Sequence, residues 1–426
     1  LDVRPRPRRS RPGPLAVRPL TDASSYEPFT RQNLEFGPIF GFAGAGGGGF
    51  VGQLFAAASD RMKDHQFLLT VSVYGSFDLT DGYLLYINDK SRLTWGGGLF
   101  QSLRFRVDQT FADDPIASRA YFTSGERFFG VLGSLRYPLS TFFYLQGDLS
   151  VGGTKYFLDD FTEFRLLFPD RNDAGEALLA EWNARNQDIR FQTEVSGQVG
   201  FDSLKYHYAT GPLAGSSALL ETTVGVQPFN DEAYSNIRLD AERYFPIYGR
   251  THFFVRAGAG TTLGGRYARS YYLSSFDTLR GVNFGDERWL LGRHFVYSTL
   301  ELQLPLNDII RVAFLSDLEA IAGFDAGGVG AGSRDLWNHR VVDGVIGLNV
   351  ALGPLLMRLH FARPFDVGAA AGKPDSGWVT NFSLGIAGLN GFFDQANTGA
   401  KNNASVRPSS PALMPANMGG YTSPRH

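Results

Sequence analysis

The chain has 426 residues, of which 51 are glycine, 14% are aromatic and none is cysteine, so disulfides, thiolate metal sites and a cysteine nucleophile are excluded. Forty Lys and Arg residues nearly balance 42 Asp and Glu residues, and the net charge of -2 gives no indication of a nucleic-acid partner. No segment approaches the ~18 uninterrupted apolar residues of a membrane-spanning helix, which excludes a helical membrane protein.

The two ends of the chain differ in composition from the middle. Within residues 1–32, arginines alternate with prolines between Arg4 and Pro19, a mixture that favours extended, solvated backbone. We predict a linker or a partner-binding arm there, and we interpret a chain that starts at Leu1 as a processed or excised product. Residues 389–426 are rich in Asn, Ser, Pro and Gly, and we predict an extended polar tail. The domain between them would be residues 33–388.

In this middle region apolar and polar residues alternate with a period of two. The clearest case is 189–202, where Phe191, Val195 and Val199 alternate with polar residues. This alternation is typical of strands with one apolar and one polar face. Strands of soluble sandwiches usually have ~5–6 residues, whereas these patterns persist for ten or more, the length that crosses a bilayer at a tilt.

The same alternation predicts about sixteen strands. They are the segments 36–44, 48–58, 65–77, 81–88, 93–108, 120–137, 141–156, 189–206, 217–227, 234–245, 251–266, 294–305, 309–325, 341–352, 355–362 and 378–388.

The connections between these segments alternate in length. Short links with turn residues follow even-numbered segments, and long links follow odd-numbered ones. The short links are 138–140, 246–249, 305–308 and 352–354, and the long ones are 108–119, 157–188, 267–293, 326–340 and 363–377. Short turns at one rim and long loops at the other are typical of an outer-membrane barrel with periplasmic termini. We therefore predict an all-β fold, a transmembrane antiparallel β-barrel of about sixteen strands in the outer membrane of a Gram-negative bacterium.

No motif indicates bond chemistry. Residues 44–49 fit GxGxxG, but no helical pattern follows, and we expect these glycines to weaken the packing of the first strand. The seven histidines have no metal-binding spacing, and no serine lies in GxSxG. We predict no enzymatic activity, no cofactor and no metal. A set of charged residues shares the phase of the barrel interior, and we interpret it as structural pairs: Asp148, Arg190, Glu194, Glu221, Arg238, Asp240, Glu242 and Arg256.

The most informative motifs lie late in the chain. Residues 278–285 read TLRGVNFG, residues 297–306 read YSTLELQLPL and residues 323–327 read GFDAG. Residues 347–364 and 381–385 add GLNVALGPLLMRLHFARP and NFSLG. In this order and spacing they resemble the BamA superfamily of outer-membrane assembly barrels, which includes the two-partner secretion transporters.

The resemblance implies a site inside the barrel. In that family the sixth loop, here residues 267–293, folds back into the lumen, and its arginine pairs with the acid of the F-x-D segment. Carried over, Arg280 and Gly281 at the loop tip would meet Asp325, with Glu301 nearby. The alternation agrees, because Asp325 lies in phase with other acids and opposite Phe324, so it faces the interior. A guanidinium placed there can bind a carboxylate bidentately. The alternative is that Arg280 is a solvated loop residue.

A barrel in hydrocarbon must close by pairing its first and last strands, because each unpaired backbone group costs several kcal/mol. The resemblance implies protein insertion or translocation through this seam, where client segments would add by edge pairing. The seam residues we expect are Gly41, Gly44 and Gly46 of the first strand and Phe382 and Leu384 of the last.

Two other functions stay open. The barrel is alternatively a structural anchor or scaffold in an envelope complex, with residues 1–32 and 389–426 binding partner proteins. A passive pore is the third alternative, and an inserted loop disfavours it because it would fill the lumen. The partners we expect are outer-membrane lipid, lipopolysaccharide and envelope proteins, without nucleic acid.

Overall fold

The computed structural model describes residues 28–29, 34–45, 49–74, 76–108, 122–157, 184, 188–207, 211–230, 232–264, 271–273, 278–283, 290–310, 315, 317–330, 332, 335–352, 355–369 and 377–386. Most of the arm at 1–32, the tail at 389–426 and Gly46 lie outside these ranges, so the predictions for them stay predictions. Near the end of the arm, the Phe29 ring lies 5.0 Å from the ring of His65 and 6.0 Å from that of Phe67, measured between centroids.

The described chain is almost entirely β-strand. In order, the strands are β1 (Leu34–Ala45), β2 (Gly49–Asp60), β3 (His65–Tyr74), β4 (Ser76–Asn88), β5 (Thr94–Asp108), β6 (Phe122–Pro138), β7 (Phe143–Phe157), β8 (Arg190–Asp202), β9 (Lys205–His207), β10 (Gly211–Gln227), β11 (Glu232–Tyr248), β12 (Thr251–Gly264), β13 (Tyr271–Tyr272), β14 (Leu291–Gly292), β15 (His294–Pro305), β16 (Asp317–Gly330), β17 (Arg340–Leu352), β18 (Leu355–Val367) and β19 (Val379–Ile386). One-turn helices are α1 (Asp335–Asn338) and the 3₁₀ turns Pro228–Asn230 and Leu306–Asp308. Within these ranges no helix has the length and apolarity needed to span a membrane.

Sixteen of the described strands form the wall, and β9, β13 and β14 are short additions. Each wall strand pairs antiparallel with the next wall strand along the chain. β1 pairs with β2 on one side and with β19 on the other, where Phe42 lies opposite Leu384 and Ala45 opposite Asn381. The pairings therefore form a ring, and the predicted all-β antiparallel barrel of about sixteen strands is confirmed.

The two faces of the wall differ as the alternation predicts. In β8, Phe191, Val195 and Val199 point outward and are exposed, while Gln192 and Glu194 point inward and are buried. The inward side chains are hydrogen-bonded, as between Thr154 and Gln192 at 2.8 Å. An apolar outside and a polar inside whose side chains bond to one another suit a barrel in hydrocarbon, because lipid offers no hydrogen bonds.

Part of the inner face is apolar, which the alternation did not predict. Six inward side chains of β3 to β6 pack into one buried cluster: Leu68, Leu85, Ile87, Phe100, Phe128 and Leu132. The Phe100 and Phe128 rings meet edge to face, with centroids 4.8 Å apart. Inward side chains that pack against one another are not in contact with water, so apolar residues are tolerated at these positions.

Several strand boundaries differ from those predicted: β4 begins at Ser76 rather than 81, β10 begins at Gly211 rather than 217, and β16 ends at Gly330 rather than 325. Two further differences have a physical reason. The strand expected at 309–325 begins at Asp317, because Ile309 and Ile310 continue the apolar pattern into an exposed turn. The strand expected to stop at 362 continues to Val367. Pro364 is accommodated there because the β17–β18 register shifts beside it, between Val342 and Asp343, and a bulge tolerates a residue that cannot donate.

The outward face gives a direct test of membrane contact. We expect Val195→Arg, at the middle of β8, to lower the free energy of unfolding by about 2–4 kcal/mol, because it places a charge at the bilayer midplane. Ile247→Arg, next to the β11–β12 turn, should cost only about 0–1 kcal/mol, because its side chain reaches the interface. Denaturant titration of the barrel in lipid vesicles measures both, and equal costs would contradict the assignment of this face to lipid.

Candidate functional site in the barrel lumen

The sixth loop enters the barrel and is anchored by apolar contacts. At its base β13 pairs with β14, and β14 approaches β5 on the opposite side of the ring. Five loop residues are buried against the inner faces of β15, β16 and β17. The cluster comprises Tyr271, Leu273, Leu279, Val282 and Leu290 of the loop with Phe295, Tyr297, Val329 and Val341 of the wall. This burial brings the loop tip, residues 278–283, against the wall.

Arg280 at the loop tip binds two carboxylates of neighbouring strands. Its Nε donates to Asp325 Oδ2 at 2.8 Å and its Nη2 to Asp325 Oδ1 at 3.0 Å, a bidentate pair. Its Nη1 donates to Glu301 Oε2 at 2.6 Å. The three side chains are nearly inaccessible to solvent, at 8%, 1% and 6% exposure for Arg280, Asp325 and Glu301. The structure thus brings these predicted site residues together, and the reading of Arg280 as a solvated loop residue is wrong.

Gly281 is the fourth predicted site residue, and it lies against β17. Its backbone N–H donates to Asp343 Oδ2 at 2.9 Å. A Cβ atom at residue 281 would lie 2.5 Å from Asp343 Cβ, closer than nonbonded carbons approach. The position therefore requires glycine, because only a residue without a side chain lets the backbone approach the carboxylate this closely.

Asn381 connects the loop tip to the last strand. Its Nδ2 donates to the backbone oxygen of Arg280 at 2.9 Å, and the side chain is buried. The loop tip therefore contacts four wall strands: β15 through Glu301, β16 through Asp325, β17 through Asp343 and β19 through Asn381.

Electrostatics keep the arginine charged. Burial by itself lowers the pKa of Arg280. The negative charges of Asp325 and Glu301 raise this pKa by more than burial lowers it, so the net shift is upward. Asp343 lies directly opposite Asp325 in the β16–β17 ladder, so a third carboxyl group flanks the guanidinium. A buried ion pair is costly to break from one side, because the remaining charges stay buried without compensation.

A second polar network adjoins the loop. Asp240 on β11 accepts from Arg256 Nη2 at 2.8 Å, from Arg238 Nη2 at 3.1 Å and from the Tyr297 hydroxyl at 2.7 Å. Arg238 also lies 3.8 Å from Glu221 of β10. Tyr297 belongs to the apolar cluster under the loop, so it links this network to the loop. These pairs agree with a structural role for four of the predicted lumen charges, namely Glu221, Arg238, Asp240 and Arg256.

The seam residues lie where β1 meets β19. Gly44 is opposite Phe382, and Leu384 is opposite Phe42. Gly41 pairs only with Gln53 of β2 among the described strands, so the structure does not bring it to β19. Gly46 lies outside the described residues.

Sequence reasoning missed two residues of the site, Asp343 and Asn381. Both share the inward phase of buried neighbours, Asp343 with Val341 and Asn381 with Val379. That phase was a usable signal for the facing direction. Their contact with the loop tip depends on strand register, which the alternation alone does not determine.

Within the described ranges, no three His, Asp or Glu side chains are arranged to hold a metal ion. The contacts of Arg280 and Gly281 attach the loop tip to the barrel wall by ion pairs and hydrogen bonds.

Comparison with known proteins identifies related barrels. Residues 70–387 match the Omp85 superfamily domain. The chain is similar to the structure of BamA from Haemophilus ducreyi lacking POTRA domains 1-3, with a TM-score of 0.54 and 16% identity over 82% of this chain and 70% of that one. No curated protein sequence matches it.

Two further solved structures are similar. CdiB from Acinetobacter baumannii gives a TM-score of 0.53 at 13% identity over 83% of this chain, and CdiB from Escherichia coli gives 0.54 at 13% over 86%. The chain spans 60% and 63% of those two proteins, less than two thirds of each. At such low identity these likenesses show the fold.

The burial of the Arg280 cluster predicts a large effect of removing the guanidinium. We expect Arg280→Ala to lower the free energy of unfolding by about 3–5 kcal/mol, because it removes the cation that compensates two buried carboxylates. Arg340 is a matched control, since it binds Asp366 bidentately at 2.9 and 3.0 Å with side chains 28% and 43% exposed. Arg340→Ala should cost about 0–1 kcal/mol. Denaturant titration in vesicles compares the two, and similar losses would contradict the importance of burial.

The close approach of Gly281 to β17 predicts that a single methyl group displaces the loop tip. We expect Gly281→Ala to destabilise the protein by about 1–3 kcal/mol through overpacking against Asp343. Gly133→Ala is the control, because a Cβ there meets nothing within 4 Å. Thermal unfolding of both variants measures the difference, and a tolerated Gly281→Ala would refute the steric requirement.

Proposed function

The chain belongs to the Omp85 superfamily, and from this premise we propose that it inserts or translocates proteins through a seam between β1 and β19. It is a β-barrel protein of the Gram-negative outer membrane. Membership supports protein insertion or translocation at that membrane in general, by a transporter or assembly factor without enzymatic activity. The seam and the loop are the specific parts of the proposal.

The observation that carries the proposal is the short ladder between β1 and β19. It joins four residue pairs, from Phe42–Leu384 to Ala45–Asn381. Among the described wall ladders this is the shortest, since β4–β5 has seven pairs and β1–β2 has twelve. Among the described residues, fewer backbone hydrogen bonds hold the ring at this position, so we expect the wall to open there at lower cost than elsewhere.

Among the described residues, part of the β1 edge that faces β19 has no strand partner. Residues 34–41 of β1 pair with β2 but have no partner on β19 in the described part of the chain. An unpaired edge is a template on which another extended segment adds as a strand. A client β-segment would pair with this edge and then displace the four existing pairs, so that backbone hydrogen bonds are exchanged rather than lost.

The proposed role of the loop is to hold the wall and fill the lumen. Arg280, Gly281, Asp325 and Glu301 would act together as a lock that fixes the loop tip against β15, β16 and β17. A loop that crosses the lumen and buries its apolar residues there disfavours a passive pore.

We propose lipopolysaccharide as the lipid partner of the outer face. Arg127 of β6 and Lys155 of β7 lie opposite each other near the long-loop rim, and Lys155 is exposed. Both point away from the lumen, since Glu126 and Thr154 beside them are buried inward. Two adjacent cations at this level match lipid phosphates by charge. Protein partners of residues 1–32 and 389–426, and the anchor function that depends on them, stay predictions.

A reversible cross-link tests the seam. Ala43→Cys with Ser383→Cys places two thiols on facing residues of β1 and β19, within reach of a disulfide. The chain has no cysteine of its own, so no other thiol competes. We expect oxidation to abolish insertion of a urea-unfolded eight-stranded outer-membrane barrel into vesicles that contain the protein, and reduction to restore it.

The matched control locks β1 on its other side. Ala43→Cys with Val51→Cys joins β1 to β2 and leaves the seam free, so insertion should continue when it is oxidised. If the oxidised Ala43–Ser383 variant inserted the probe as well as its reduced form, a seam mechanism would be wrong.

A further inference from the structure

Asn381 takes part both in the β1–β19 ladder and in the contact with the loop tip. In the wall it is the last residue of the seam ladder, opposite Ala45 of β1. In the lumen its side chain donates to the Arg280 backbone oxygen at 2.9 Å and is only 5% exposed. The Asn381 side chain therefore connects the loop tip directly to β19, one of the two seam strands.

The loop tip is firmly held on its other side. Arg280 makes three charge-assisted hydrogen bonds to Asp325 and Glu301, and Gly281 donates to Asp343. β18 lies between β17 and β19 in the wall. The tip thus spans β18 and connects the strongly held strands β15 to β17 with β19.

From these contacts we infer that Asn381 couples the loop tip to the seam, keeping β19 paired with β1 while the tip is bound. The inference rests on the proposed function, whose seam it would regulate. A simpler role for Asn381 is to satisfy the buried Arg280 carbonyl and nothing more. The two roles predict different effects of a substitution at Asn381. If Asn381 only bonds to the Arg280 carbonyl, a substitution affects the loop tip alone. If Asn381 couples the tip to the seam, the substitution also affects the pairing of residues 42–45 with 381–384.

Hydrogen exchange of the full chain in vesicles, without any client, separates these roles. Asn381→Leu keeps similar volume without a donor, and Asn381→Asp keeps the shape without the N–H. We expect either to speed amide exchange at residues 42–45 and 381–384 about fivefold, equivalent to the ~1 kcal/mol of one neutral hydrogen bond. Asn236→Leu and Asn236→Asp are the controls, because Asn236 is buried on β11 and accepts from Thr262 at 2.9 Å, away from the seam.

A double-mutant comparison identifies Asn381 as the connection. Arg280→Ala loosens the tip and should speed exchange at the seam in the wild-type background, but it should add nothing there when Asn381→Leu is already present. Unchanged seam exchange in both Asn381 variants, or equal changes in the Asn236 controls, would overturn the coupling. Additive effects of Arg280→Ala and Asn381→Leu would overturn it as well.

The experiment does not depend on transport. If the cross-linked seam still inserted protein while seam exchange responded to Asn381, the proposed function would fail and the coupling would stand. If insertion required the seam while exchange ignored Asn381, the coupling alone would fail.

Discussion

In hydrocarbon every backbone N–H and C=O must find a partner within the protein, and the rest of this structure depends on that constraint. Sixteen described wall strands satisfy it as a ring, in which β1 completes the pairing between β2 and β19. In the described wall, the shortest ladder is the one that closes this ring. A function that requires a barrel to open will therefore act where the fewest bonds must be exchanged, and in the described wall that place is the four pairs between β1 and β19.

The lumen solves a different problem, because it contains charges that neither lipid nor apolar packing can satisfy. Its solution is local pairing across neighbouring strands, such as Asp240 of β11 with Arg256 of β12 and Arg238 of β11 with Glu221 of β10. The Arg280 cluster follows the same rule but joins a loop to the wall rather than strand to strand. A buried ion pair adds little net stability over apolar packing, yet breaking it from one side is costly. Such a pair suits a lock, since it fixes one arrangement of the loop and disfavours partial release.

Seam and lock are neighbours in the structure although they are distant in the chain. The shortest described ladder ends at Asn381, and the side chain of Asn381 binds the loop tip 101 residues away. The loop also buries apolar residues against β15 to β17, so its release would expose them to the lumen. Under the proposed function, opening of the wall at the seam and movement of the loop would therefore share this one contact.

The sequence by itself determined the strand class, the approximate strand count and the facing direction of most residues, because a period of two assigns each side chain to lipid or lumen. It also indicated Arg280, Gly281, Asp325 and Glu301 through resemblance to a family, since those residues stand in recognisable motifs. The sequence pattern did not predict the boundaries of several strands correctly. Ile309 and Ile310 continue an apolar run into a turn, and Pro364 lies inside a strand because a bulge accommodates it. Only the tertiary structure decided the register, which places Asp343 opposite Asp325 and Asn381 opposite Ala45. Register depends on how all sixteen strands close together, and no single segment contains that information.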